Sequence, residues 1–127
     1  MSVLVDSSVW IAYFRGTHSL PEMDVLIGEN LIVTNDLILA ELIPYLHIQK
    51  QKRLIGLMNE IERYPVQIDW PEIIQMQISC LQNGINGVGI SDLIIAQHAI
   101  QNHFQLFSLD KHFASMAEQM PLTLYGT

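Results

Sequence analysis

The chain has 127 residues, half of them hydrophobic and 15% charged, with 13 Asp and Glu against 6 Lys and Arg for a formal net charge of −7. That length supports one buried core without staples, and the composition excludes intrinsic disorder, collagen-like repeats and low-complexity linkers. The single cysteine, Cys80, excludes an intramolecular disulfide and a thiolate zinc site, and the acidic balance argues against a protein held to nucleic acid by a broad basic surface.

Val3-Leu-Val5 predicts a short buried strand ended by Asp6. Ser7 and Ser8 then supply helix-start chemistry for the run Val9 to Phe14, which Gly16 stops. Pro21 opens a second short helix through Ile27, and Leu31 to Val33 predicts a second strand. Thr34 and Asn35 cap a helix from Asp36 towards Tyr45, and a further helix covers Lys50 to Glu62 with Leu54, Leu57, Met58 and Ile61 on one face. Val66 to Ile68 is a third strand candidate, and Pro71 opens a helix to Gln82. The segment from Asn83 to Gly89 is a glycine-rich turn, and Ser91 caps a helix from Asp92 to Asn102. Phe104 to Ser108 is the clearest strand, Asp110 starts a last helix, and Leu122 to Tyr125 closes the chain as a strand.

Short apolar strands that alternate with helices predict a single α/β domain over residues 1–127, a sandwich of helices about a central, mainly parallel sheet of four or five short strands. No run approaches the ~20 apolar residues of a membrane span and no signal-peptide pattern is present, so a cytoplasmic protein without membrane contact is expected. Ligands of such folds sit beyond the carboxyl ends of the strands, where strand order reverses.

Four acids draw attention on that basis. Asp6 and Asp110 directly follow strands, although each also suits a helix N-cap. Asp92, in the first turn of its helix, heads the apolar stripe Ile95, Ala96 and Ala99. Glu41 has Leu37, Ile38 and Tyr45 at helical spacing, which places it on the core-facing stripe, and Pro44 predicts a kink just beyond it. A carboxylate there needs a partner. Four acids brought together would repel one another without a cation. Mg²⁺ or Mn²⁺ resolves this, because a hard ion takes carboxylate and water oxygens, acidifies water and clamps a phosphate oxygen. Metal-assisted phosphodiester hydrolysis is the matching reaction class.

The runs Val3-Leu-Val-Asp6-Ser-Ser-Val-Trp-Ile11, Leu39-Ala-Glu41-Leu42, Ile90-Ser-Asp92-Leu-Ile-Ile-Ala96 and Leu106-Phe-Ser-Leu-Asp110-Lys-His-Phe113 resemble the PIN-domain ribonucleases, and among them the VapC-type toxins of bacterial toxin–antitoxin pairs. The resemblance spans nearly the whole chain. It implies a PIN-like fold and an endoribonuclease dependent on Mg²⁺ or Mn²⁺, in which Asp6, Glu41, Asp92 and Asp110 bind the metal and orient the attacking water. It implies that Ser8 contacts metal-bound water or phosphate. Ser108 stands where relatives often carry Thr, and His112 where many carry a second Asp, so His112 receives no catalytic role. The resemblance further implies a homodimer, silenced by an antitoxin whose C-terminal segment covers the active-site groove. RNA would meet the bound cation together with Arg15, Lys111 and the basic segment Lys50, Lys52 and Arg53, with Arg63 nearby.

Three other readings compete. A haloacid-dehalogenase-like phosphatase also places Asp after strand one but wants a second acid where Ser8 stands, and a receiver domain wants paired acids near the first strand. A nuclease-inactive interaction module would keep the fold alone. The five histidines, at 18, 47, 98, 103 and 112, show no metal-binding spacing. Cys80 reads as inert core, Trp10 and Trp70 as packing (or, for Trp10, a dimer surface), and the glycines as turns.

Overall fold

A computed structural model describes residues 1–16 and 19–126; His18 lies outside the described residues. Five strands form one sheet: β1 (Val3–Val5), β2 (Ile32–Thr34), β3 (Glu62–Arg63), β4 (Gln105–Phe107) and β5 (Thr123–Leu124). Their spatial order is β3-β2-β1-β4-β5 and every pairing is parallel. Val3, Leu4 and Val5 are all fully buried. Successive strand residues face opposite sides, so both faces of the sheet are covered, as a parallel sheet requires.

The helices are α1 (Ser7–Arg15), α2 (Pro21–Gly28), α3 (Asp36–Ile48), α4 (Lys52–Glu60), α5 (Trp70–Gln82), α6 (Ile90–Asn102) and α7 (Lys111–Ala117). The chain leaves β1 towards β2 and β3, then crosses back to place β4 on the other side of β1. Strand order therefore reverses between β1 and β4, and the segments after these two strands flank the crevice where such folds take ligands.

Three expectations are corrected. The third strand is Glu62–Arg63 rather than Val66 to Ile68: Glu62 and Arg63 pair with Val33 and Thr34, and an edge strand needs no apolar side chains. Helix α3 does not end near Tyr45 but runs through Pro44 to Ile48. Ala40, whose carbonyl loses its partner to Pro44, and Pro44 itself both lie on the exposed side, where water replaces the missing bond. The N-cap of α6 is Gly89 rather than Ser91, so Asp92 occupies the third helical position. Trp10 is core as expected, whereas Trp70 is about half exposed; Cys80 is fully buried.

Buried polar groups fix the helices to one another. Asn35, fully buried, caps α3 by accepting from the Ile38 N–H (2.8 Å), and its Nδ2 lies 2.9 Å from Nδ1 of buried His98 on α6. Burial pushes the His98 pKa below the usual 6.5, against an opposing contribution from the Pro65 backbone, and its Nε2 is buried without a hydrogen-bond partner. Buried Gln97 performs the same service for α5: it accepts from Asp69 N–H (3.1 Å) and donates to Asp69 O (3.0 Å) and to Glu72 Oε1 (2.7 Å). Because Asn35 both caps α3 and satisfies His98, Asn35→Ala is expected to cost about 2–4 kcal/mol, the sum of a lost cap and an orphaned buried acceptor. Urea unfolding at neutral pH measures this, and a loss below about 0.5 kcal/mol would contradict the linkage.

Candidate metal centre

Asp6 ends β1 and is 6% exposed. It starts α1, yet its side chain makes no capping hydrogen bond. Instead Ser8 Oγ (2.8 Å) and Ser108 Oγ (2.9 Å) both donate to Oδ2. Each hydroxyl also accepts a backbone N–H from the turn after β4, Leu109 N–H to Ser8 (3.2 Å) and Asp110 N–H to Ser108 (3.0 Å). The two serines thus tie the first turn of α1 to the β4–α7 turn and hold one carboxylate oxygen of Asp6.

Asp110 follows β4 and does cap α7, accepting the His112 N–H on Oδ1 at 2.9 Å. Asp92 enters from α6, reaching back to the Gly89 N–H as a third-position acid does at a helix start. Burial pushes its pKa up, and the charges of Asp110 and Asp6 push the same way, against the Gly89 hydrogen bond and the nearby His112. Glu41 on α3 needs a correction: the buried stripe of that helix is Ile38, Leu39, Leu42 and Leu46, with Leu37 and Tyr45 half-buried, so Glu41 sits beside the core stripe and is exposed overall. Its carboxyl is still partly desolvated. That burial raises its pKa first, the charges of Asp6 and Asp92 add to the rise, and a long contact from Ser7 Oγ (3.5 Å) opposes it.

The four acids thus lie within range of one another's charge at the crevice, although Asp6 and Glu41 fall outside the set of described side chains whose ligand atoms fit around one ion. The arrangement suits a hard divalent cation, which turns mutual repulsion into coordination. Asp92, Asp110 and His112 each offer one ligand atom, all within 4.8 Å of one another. His112 is the residue the sequence reading passed over. Its position two residues after Asp110 was visible, but an isolated histidine at a helix start gives no spacing signal.

The expected RNA contacts are distributed differently. Ser8 points at Asp6. Lys111 is exposed beside Asp110. Arg15 ends α1, about 13 Å along the helix from Asp6, where its Nε donates to Tyr45 Oη (2.8 Å) and its guanidinium lies 5.2 Å from the ring centre. Lys50, Lys52 and Arg53 are exposed beyond the far end of α3, and Arg63 pairs with Asp36 at 2.9 Å.

The family model described as the PIN domain matches residues 3–119. No curated protein sequence matches the chain. A chain of VapBC2 from Rickettsia felis, solved bound to a DNA fragment from their promoter, superposes with a TM-score of 0.75 at 17% identity, covering 98% of this chain and 97% of that one. VapBC-5 from Mycobacterium tuberculosis, a member of the VapBC family of toxin-antitoxin systems, gives 0.71 at 21% identity and 98% of both chains. VapC20 from the same organism, a toxin that cleaves the sarcin-ricin loop, gives 0.62 at 14% identity, over 90% of this chain and 94% of that one.

The raised pKa values of Glu41 and Asp92 set a pH dependence. The metal-free fold binds more protons than the unfolded chain above the ordinary values of 4.5 and 3.8, so their contribution to stability declines as pH rises from there through the raised values. Asp92→Asn is expected to flatten that decline in the urea midpoint measured without divalent ions; an unchanged pH profile would contradict the charge crowding.

Proposed function

The chain belongs to the PIN-domain family, and from that membership together with the convergence of Asp6, Glu41, Asp92 and Asp110 we propose that it is a metal-dependent endoribonuclease, the toxin of a toxin–antitoxin pair. What supports the reading is that Asp6 and Asp110 follow the two strands between which strand order reverses, and that Asp92 and Glu41 feel the charges of acids there. Asp6, Asp92 and Asp110, with Glu41 alongside, would hold a Mg²⁺ or Mn²⁺ ion, which would supply Lewis-acid charge at a phosphate oxygen and acidify water.

The chain's own groups then divide the work. Ser8 and Ser108 hold Oδ2 of Asp6, which fixes the direction in which its other oxygen is offered. Glu41, standing beside those ligands, is the group suited to orient water and accept its proton. Lys111, exposed next to Asp110, meets the RNA backbone, and Arg15 extends that contact from its seat on Tyr45. Membership of this family leaves the phosphatase and receiver readings without support, and the presence of all four acids speaks against an inactive module.

The antitoxin is the second partner, and the chain is expected to work in the cytoplasm as a homodimer; among the described residues no helix is long and apolar enough to cross a membrane. An open apolar groove of about 470 Å³ between α1, α2 and α4, lined by Trp10, Phe14, Leu26, Leu57 and Met58 with Glu60 at its edge, suits an inhibitory segment that carries both apolar and basic side chains.

Asp6→Asn and Asp92→Asn are expected to abolish RNA cleavage while the proteins stay folded, and cleavage at the wild-type rate by both would refute the assignment. Mn²⁺ at a hundredfold excess over Kd is expected to stabilise the wild type by about 2.7 kcal/mol and to do little for Asp6→Asn; equal stabilisation would place the ion elsewhere. A tagged chain expressed from its native locus is expected to co-purify with a small antitoxin encoded beside it, and recovery of this chain alone would count against the pairing.

A further inference from the structure

We propose that His112 is itself a ligand of this centre, through Nδ1, making it a mixed oxygen and nitrogen site that favours Mn²⁺ over Mg²⁺. The inference rests on the metal-dependent reading above and adds to it a residue and an ion preference.

Three observations carry it. One ligand atom from each of Asp92, Asp110 and His112 fits within a 4.8 Å span, the spacing of donors around a single ion. Nδ1 of His112 lies 3.1 Å from Asp110 Oδ1, an ion-pair distance without hydrogen-bond geometry, and that atom is buried and makes no hydrogen bond although the side chain as a whole is 37% exposed. A buried nitrogen left without a partner is costly, and one that faces two carboxylates is ready for a cation. Finally, the ring is seated. Its Nε2 lies 3.6 Å from the point where a Cβ on Gly87 would stand, and Gly87 has φ +79°, a conformation that favours glycine. The glycine-rich turn before α6 thus runs alongside the Nε2 edge of the ring, the edge away from Nδ1.

The chemistry of the donor set gives the preference. Carboxylates alone suit Mg²⁺, Ca²⁺ and Mn²⁺ alike, whereas an imidazole gains more from first-row transition ions than from Mg²⁺, which dehydrates reluctantly and prefers oxygen. A site with three or four carboxylates and one imidazole still accepts Mg²⁺ but binds Mn²⁺ more tightly. Replacement of the imidazole by a carboxylate removes that advantage.

The test is metal binding to the full chain, without RNA. Calorimetric titrations with Mg²⁺ and with Mn²⁺ give the affinity ratio, and pulsed electron paramagnetic resonance of bound Mn²⁺ reports a directly coordinated nitrogen. In the wild type the ¹⁴N modulation of a coordinated imidazole is expected, with Mn²⁺ favoured over Mg²⁺ by roughly tenfold or more. His112→Ala and His112→Asp are both expected to lose the modulation, and His112→Asp, which keeps a ligand at the position, to bring the two affinities together by raising that for Mg²⁺. Mn²⁺ bound without ¹⁴N modulation in the wild type, or an affinity ratio unchanged in both variants, overturns the role of His112 and leaves the carboxylate centre standing if Asp92→Asn still abolishes binding. Failure of the wild type to bind either ion overturns the centre itself.

Discussion

Mutual repulsion among carboxylates at one edge of a parallel sheet is the constraint around which this molecule is organised. Asp6 is held almost out of water at the end of β1, and Asp92 and Glu41 are pushed towards their protonated forms by burial and by their neighbours. Nothing in the packing of a small α/β domain demands that. A core of Val3, Leu4, Val5, Leu93, Ile95, Leu106 and Phe113 would be as well buried with neutral side chains at those three positions. A divalent ion at the proposed site would relieve that repulsion, and on the proposed function the same ion would let a chain of net charge −7 meet a polyanion.

The scaffold that imposes this crowding is itself polar and buried. Ser8 and Ser108 bind one oxygen of Asp6 and accept N–H groups from the β4–α7 turn, so β1, α1 and α7 share one small network. Asn35 and His98 couple the start of α3 to α6, and through those helices Glu41 to Asp92. Gln97 couples α6 to the start of α5. Hydrogen bonds of this kind add little net stability apiece but are expensive to break on one side. They hold charged groups at separations the groups would not choose, as a preformed site for a cation requires.

Much of this was legible in the chain. Alternation of short apolar runs with capped helices announced the parallel sheet, and residues placed straight after strands announced Asp6 and Asp110. Asp92 was legible from its place at the head of an apolar stripe. Glu41 was found for a reason that proved wrong: spacing from Leu37, Ile38 and Tyr45 put it on the buried face, whereas it stands at that face's border, close to the other acids. Helical periodicity resolves a face to within about one residue position, and 100° per residue separates Glu41 from the fully buried Leu42. The edge strand at Glu62–Arg63 was illegible because its identity rests on pairing with Val33 and Thr34 rather than on its own side chains. The pairing of Asn35 with His98 and the contacts of Gln97 were missed because their partners lie tens of residues away, and no local pattern records a contact across the fold. His112, beside Asp110, was weighed and set aside because a lone histidine at a helix start carries no spacing signal.

The most direct measurement is a crystal structure of the chain soaked in Mn²⁺ with anomalous data collected at the manganese edge. An anomalous peak bounded by the carboxylates of Asp6, Asp92 and Asp110 is the predicted result. Full soaking with no peak in that crevice, or manganese found only at surface carboxylates such as Glu22 or Glu29, would contradict the account.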